Sequence, residues 1–158
     1  IPYVHPALNG SLDYSQYATH LHPFASLQIG YADEQAEPNS YFHLPTQHTD
    51  AGKKVAAYYF WLFPNAMINV YPWGISLNIV QPKSPAQTLV HFRSYVWDES
   101  LRQIGAGGDL QQVETEDEIV VQAAQRGIRS RLYTQGRFSP TQEKGVHHFH
   151  RLLAQILA

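Results

Sequence analysis

The chain has no cysteine in its 158 residues. It therefore carries no disulfide, no thiolate nucleophile and no Cys-ligated cluster of its own. Charge is also scarce. Asp, Glu, Lys and Arg make up 15% of the residues and nearly cancel, at a net −2. No basic stripe exists, which excludes nucleic acid as a partner. No apolar run reaches the roughly 20 residues that a membrane-spanning helix needs, and no signal-peptide pattern is visible. The expectation is a cytoplasmic protein with no membrane contact. Repeats and low-complexity tracts are absent too. The first residue is Ile, not Met, so the chain reads as processed, cut or a piece of something longer.

Aromatic residues are plentiful: seven Phe, ten Tyr and three Trp. The length suits one domain, residues 1–158, with a proper core. Residues 1–13 are broken by Pro2, Pro6 and Gly10 and read as a loop or short helix. Pro6 favours an extended backbone at His5. Residues 14–50 are polar and mixed, with short strands such as 26–31 among scattered histidines. Between 55 and 97 the character changes. Val55–Phe63, Met67–Tyr71, Ile75–Val80 and Ala86–Trp97 are strand-like runs joined by Pro, Asn and Gly turns. They predict an antiparallel meander. In the last run Val90, Phe92, Ser94 and Val96 alternate with Leu89, His91, Arg93 and Tyr95. That pattern predicts one buried face and one more polar face.

Two helices follow. Asp109 with Gln112 makes a capping box after the loop Gly105-Ala106-Gly107-Gly108, and the helix is expected to run to Leu132. Leu110, Val113, Val120, Val121, Ala124 and Ile128 form its apolar stripe. Asp117 falls on that stripe, so its carboxylate is expected to point inward. A buried charge needs a partner or a metal. The plainer alternatives are a charge on the solvated face or a salt bridge to an Arg. Ser139, Pro140 and Gln142 then signal a second helix, with Val146, Phe149, Leu152, Leu153, Ile156 and Leu157 as its apolar face. The fold class is α+β, an antiparallel sheet with helices on one face.

Several residue groups have the right types for chemistry but weak spacing. His147, His148 and His150 sit beside the stripe of the terminal helix. His20 and His22 can share one side of a strand. The Gly105–Gly108 loop precedes a helix as a phosphate cradle does, yet it lacks the following Lys-Ser/Thr. No Ser-His-Asp set shows a nucleophile elbow.

Three stretches together carry a resemblance. They are Tyr58-Tyr59-Phe60-Trp61-Leu62-Phe63-Pro64-Asn65-Ala66-Met67-Ile68-Asn69; Glu116-Asp117 followed by Gln125-Arg126-Gly127-Ile128-Arg129-Ser130; and Gly136-Arg137-Phe138 with His147-His148-Phe149-His150. In this order they resemble the catalytic domain of Rieske non-haem iron oxygenase α subunits, of the aromatic-ring-hydroxylating type, nearest to a choline monooxygenase-like branch. The resemblance covers Ile1 to about Leu153.

It implies a helix-grip fold like that of Bet v 1 and START-type proteins, a curved antiparallel sheet packed on a long helix, with a C-terminal helix added. It implies a mononuclear Fe(II) held by two His and one carboxylate, with positions open for O₂. His5-Pro6 matches the family's second His ligand, and Asp117 matches the carboxylate. The first His would stand immediately before Ile1. The acidic residue that links iron to the neighbouring cluster, and the whole 2Fe-2S Rieske domain, would lie further upstream. The chain is thus expected to be the truncated C-terminal part of a catalytic subunit, inactive alone. The parent enzyme would hydroxylate a small organic substrate with O₂ and electrons from NAD(P)H, through a reductase or ferredoxin, as a homotrimer. Phe60, Leu62, Met67, Asn69 and Tyr71 are the expected substrate-binding residues. In the choline-type branch, aromatic rings would hold a quaternary ammonium. Plain sheet core is the simpler role for any one of them.

The competing class is a helix-grip module that binds hydrophobic ligands without metal. Asp117 would then pair with Arg126 or Arg129, and His5 would be a loop residue. Convergence of His5 and Asp117 separates the two readings. Metal bonds of roughly 2 Å each would place the groups about 3–4 Å apart.

Overall fold

The computed structural model describes residues 3–6, 8 and 11–158. Six strands form one antiparallel sheet in chain order: β1 (Ala18–His22), β2 (Ala25–Tyr31), β3 (Val55–Leu62), β4 (Ala66–Tyr71), β5 (Gly74–Ser84) and β6 (Gln87–Val96). Two helices follow, α1 (Leu110–Gly127) and α2 (Lys144–Leu157). The α+β class and the meander agree with the sequence. Every strand pairs with its neighbour in the chain, and four of the five connections are only two or three residues long. Part of the expected N-terminal loop, namely Ile1, Pro2, Ala7, Asn9 and Gly10, lies outside the described residues.

The core sits at one end of the sheet. Leu12, Ala32, Ala56, Ala57, Tyr71, Trp73 and Ala106 are buried together, with Leu8, Tyr17, Tyr59, Leu101 and Leu110 packed around them. Trp73 is 1% exposed. The Tyr71 ring stacks on it at 5.3 Å, nearly parallel. Tyr59 meets Tyr71 edge-on at 6.1 Å. The alanines of β3 leave room for these large rings, and aromatic pairs in such geometry add to plain area burial.

The glycine loop before α1 is part of this core. Its first three residues form a 3-10 turn in which Ala106 and Gly107 are buried. The Trp73 indole N–H donates to the Gly107 carbonyl at 3.2 Å. A Cβ at Gly107 would lie 2.4 Å from Trp73 Nε1 and 2.8 Å from the Tyr71 ring. Glycine is required there for close approach to the rings, and the loop that resembles a phosphate cradle serves to seat α1.

Three expectations are corrected. β6 does not have a buried face. It is an edge strand paired only with β5, and Leu89, Phe92, Tyr95 and Val96 are exposed. In β5 the buried positions are Gly74 and the polar Ser76 and Asn78, the last two joined by a 3.0 Å hydrogen bond. Alternation predicts which residues share a face but not which face is covered.

The helices also start or stop away from their expected bounds. α1 ends at Gly127, five residues short of Leu132. Its cap is as expected, since Asp109 Oδ1 accepts from the Gln112 backbone N–H at 3.1 Å. The reciprocal half of the capping box is replaced, because the Gln112 amide turns to Glu116 instead. No residue of α1 is buried. The helix docks through its first turns, and Val120, Val121 and Ile128 of the apolar stripe are exposed. α2 begins at Lys144, after the Ser139–Thr141 turn. Ser139 accepts from the Gln142 N–H, and its own N–H donates to Glu143 Oε2 at 2.6 Å. Leu152 is buried and Phe149 packs edge-on against Trp61 at 5.3 Å, while Val146, Ile156 and Leu157 are exposed.

Gly107→Ala is expected to destabilise the chain by about 1–3 kcal/mol, the cost of forcing a methyl into packed aromatic contact, read as a lower Tm. Asp50 gives a second prediction. It is 7% exposed, pairs with Lys53 at 2.7 Å and accepts the Tyr58 hydroxyl at 3.1 Å. Lys53 above all, then Tyr58, hold its carboxyl below the usual value of 3.8 despite burial. A depressed carboxylate contributes stability above its unfolded pKa and loses it as pH falls through the folded one. The stability gap between the native chain and Asp50→Asn is expected to be constant near neutral pH and to shrink below pH 3.8. Urea unfolding across that range would show a pH-independent gap if Asp50 has no such role.

Candidate functional site

α1 begins where Gly107 is fixed against Trp73, and this sets the direction of its next two turns. Glu116 and Asp117 follow the Asp109 cap by about two turns at 3.6 residues each. Consecutive helix residues point about 100° apart, so the two carboxylates reach two sides of one neighbour. That neighbour is His5. Its Nδ1 lies 2.8 Å from Glu116 Oε2, and its Nε2 lies 3.0 Å from Asp117 Oδ1. The imidazole is 14% exposed. It is held in the bend where the Leu8 N–H donates to the His5 carbonyl.

The two carboxylates differ in setting. Glu116 is mostly covered, and its other oxygen accepts from the Gln112 amide at 2.8 Å. The Gln112 donor first, and His5 second, hold its carboxyl below the usual carboxylate range. Asp117 is 61% exposed. This corrects the inward position expected from the apolar stripe. The stripe itself faces solvent beyond the first turns, so a place on it does not mean burial. Neither Arg126 nor Arg129 makes a salt bridge to Asp117 among the described residues. Asp117's partner is His5.

The donor chemistry of this pair suits a divalent metal. Bonds of about 2.1 Å to an imidazole nitrogen and a carboxylate oxygen, at right angles, leave the two atoms about 3 Å apart. Nε2 and Oδ1 have that spacing. The other ring nitrogen is engaged by a carboxylate, as metal-bound histidines usually are. Among the described residues, no group of three or more His, Cys, Asp or Glu is arranged to hold a metal ion by itself. The pair could supply two donors to such an ion, not a full set.

A cleft of about 390 Å³ lies between the sheet and α2. Its walls include Gln28, Tyr59, Trp61, Met67, Asn69 and Phe149. Of the five expected substrate-binding residues, the structure brings Phe60, Met67 and Asn69 to this cleft. Leu62 and Tyr71 are not among its walls. Tyr71 is 3% exposed in the core against Trp73. Leu62 is kept from the cleft, although its even-numbered neighbour Phe60 reaches the wall. The reason is register. Trp61 pairs with Met67, and Tyr59 with Asn69. Directly paired residues share a face, so the residues of β3 that join Met67 and Asn69 are odd-numbered. Tyr59 and Trp61 were missed for that reason, and Phe149 because it comes from α2. Glu116 was missed as well, although its place beside Asp117 was the available signal. His5, Glu116 and Asp117 are not among the cleft walls either.

The histidines of α2 have local partners. His148 Nε2 is 2.8 Å from the His22 carbonyl. His147 and His150 flank the Phe138 ring at 5.2 Å. Next to the cleft, burial above all pushes the Tyr17, Tyr59 and Tyr71 hydroxyls far up, so they stay protonated. Burial likewise raises the Glu114 carboxyl.

Comparison with known proteins follows this geometry. The family described as the ring hydroxylating alpha subunit (catalytic domain) matches residues 1–158. The chloroplastic choline monooxygenase of Arabidopsis thaliana is 31% identical over 97% of this chain and 35% of its own length. The carnitine monooxygenase oxygenase subunit of Escherichia coli K12 is 29% identical over 96% of this chain and 42% of its own. The crystal structure of a quaternary ammonium Rieske monooxygenase, CntA, bound to an inhibitor superposes with a TM-score of 0.71. It is 25% identical, over 98% of this chain and 41% of that one. The chain therefore spans a third to two fifths of the length of the relatives it matches. The helix-grip expectation agrees with this fold match. No helix among the described residues is long and apolar enough to cross a membrane.

Proposed function

Because this chain belongs to the family of ring-hydroxylating alpha-subunit catalytic domains, we propose that residues 1–158 are one domain, the C-terminal catalytic portion of a Rieske-type mononuclear non-haem iron oxygenase. The observation that carries this reading is the 3.0 Å approach of His5 Nε2 to Asp117 Oδ1. His5 and Asp117 hold Fe(II), and the third ligand is the His expected before Ile1. Iron bound there supplies O₂ activation, with electrons from NAD(P)H delivered through a reductase or ferredoxin and a 2Fe-2S Rieske cluster. The parent protein works as a homotrimer in the cytoplasm, although its plant relatives are named chloroplastic.

The substrate is a small quaternary ammonium compound, in keeping with the names of the relatives. The cleft has the chemistry for it. Trp61, Tyr59 and Phe149 offer ring faces and edges, and Gln28, Ser26 and Asn69 offer uncharged polar groups. A cation without N–H donors gains from aromatic faces and asks for no hydrogen-bond acceptor. Met67 and the rings exclude water from its methyl groups.

Two measurements test this. Titration of the purified chain with Fe(II) or Co(II) is expected to give saturable binding that His5→Ala and Asp117→Asn each weaken at least about tenfold, the loss of one ligand. Unchanged binding in both variants contradicts the ligand assignment. Calorimetry with tetramethylammonium is expected to lose about 0.5–2 kcal/mol on Trp61→Leu, a roughly 2–30-fold weaker Kd. A cleft that takes only neutral apolar ligands, in a chain that binds no metal, would instead support the metal-free helix-grip module.

A further inference from the structure

We infer that Glu116 is a positioning residue for the metal ligand His5: its carboxylate holds Nδ1–H, so that Nε2 is the nitrogen presented to the cation beside Asp117. This rests on the metal reading proposed above and adds to it a residue with a separate role. A neutral imidazole has one N–H and one lone pair, and only the lone pair binds a metal. Left free, the ring flips and exchanges tautomers. A carboxylate oxygen lies at each ring nitrogen, 2.8 Å from Nδ1 and 3.0 Å from Nε2; a cation that takes Nε2 leaves Nδ1–H to Glu116, and the ring cannot flip without losing that bond. Because that acceptor is a carboxylate, it also makes Nε2 a stronger donor.

Glu116 is itself placed for this task. The Gln112 amide occupies Oε1 at 2.8 Å and leaves Oε2 for His5. The side chain is 21% exposed, against 61% for Asp117. The covered carboxylate meets Nδ1 and the open carboxylate meets Nε2. Since adjacent helix positions diverge by about 100°, the two acids cannot exchange roles. Two residues on, Glu118 accepts from the Gln122 amide at 2.9 Å, an i, i+4 pair of the reverse order, and among the described residues it has no salt bridge to a histidine. That pair is an internal control for what such a contact does for the helix alone.

The test uses the full chain with Glu116→Leu, Glu116→Gln and Glu118→Leu. The first readout is the ¹⁵N shift of the His5 ring nitrogens without metal. The second is the Kd for Co(II), followed by its visible spectrum. In the native chain Nδ1 is expected to carry a proton. Glu116→Leu is expected to shift that proton population towards Nε2 and to weaken Co(II) binding roughly 10–100-fold. Glu116→Gln is expected to fall between, since an amide carbonyl still accepts but carries no charge. Glu118→Leu is expected to change neither readout. An unprotonated Nδ1 in the native chain, or Co(II) binding by Glu116→Leu within about twofold of native with unchanged ring shifts, overturns the inference. If Glu116→Leu does not fold, Glu116→Gln decides by the same two readouts. If the native chain binds no Co(II), the metal reading fails, and the ring shifts still decide whether Glu116 fixes the tautomer.

Discussion

The hydrogen bond from the Trp73 indole to the Gly107 carbonyl is the contact on which the rest depends. Trp73 sits in the tight turn between β4 and β5, buried against Tyr71. Gly107 is two residues before the α1 cap. One bond therefore ties the sheet to the start of the long helix. Nothing larger than glycine fits at that point. With the start of α1 fixed, helical geometry alone carries Glu116 and Asp117 to His5. The body of α1 contributes little to this, since none of its residues is buried. Its direction is set by its first turns and by the clasp on the imidazole.

That clasp combines two kinds of acid. A covered glutamate with both oxygens engaged gives a fixed acceptor. An exposed aspartate with one near neighbour gives a ligand that can turn towards an incoming ion. Both oxygens of the partly covered Glu116 have a partner, Gln112 and His5. Asp117 does not need a full set, because solvent serves it when no cation is there. On the proposed reading, the difference in exposure between two neighbouring carboxylates separates orientation from coordination.

Much of this was legible in the sequence. Pro and Gly turns mark the strands from β3 to β6 to within a few residues, and Asp109 marks the start of α1. His5 and Asp117, 112 positions apart, were paired by family resemblance and not by spacing. Periodicity misled on Asp117 because a stripe records which residues share a face, not whether anything covers it. The cleft shows the same limit. Leu62 was chosen with Met67 and Asn69, but the turn at 63–65 sets the parity. Odd residues of β3 face odd residues of β4. A slip of one residue in that turn would have made the choice right. Nothing in the local sequence states the parity. Glu116 was visible only as a neighbour, since its role appears when the ring of His5 is placed.

The most direct test of the account is a crystal structure of the iron-loaded protein with diffraction data collected on both sides of the iron edge. The account predicts an anomalous peak bonded to His5 Nε2 and Asp117 Oδ1, with Glu116 still on Nδ1. A peak elsewhere, or none with the His5–Asp117 contact closed as it is at 3.0 Å, would contradict it.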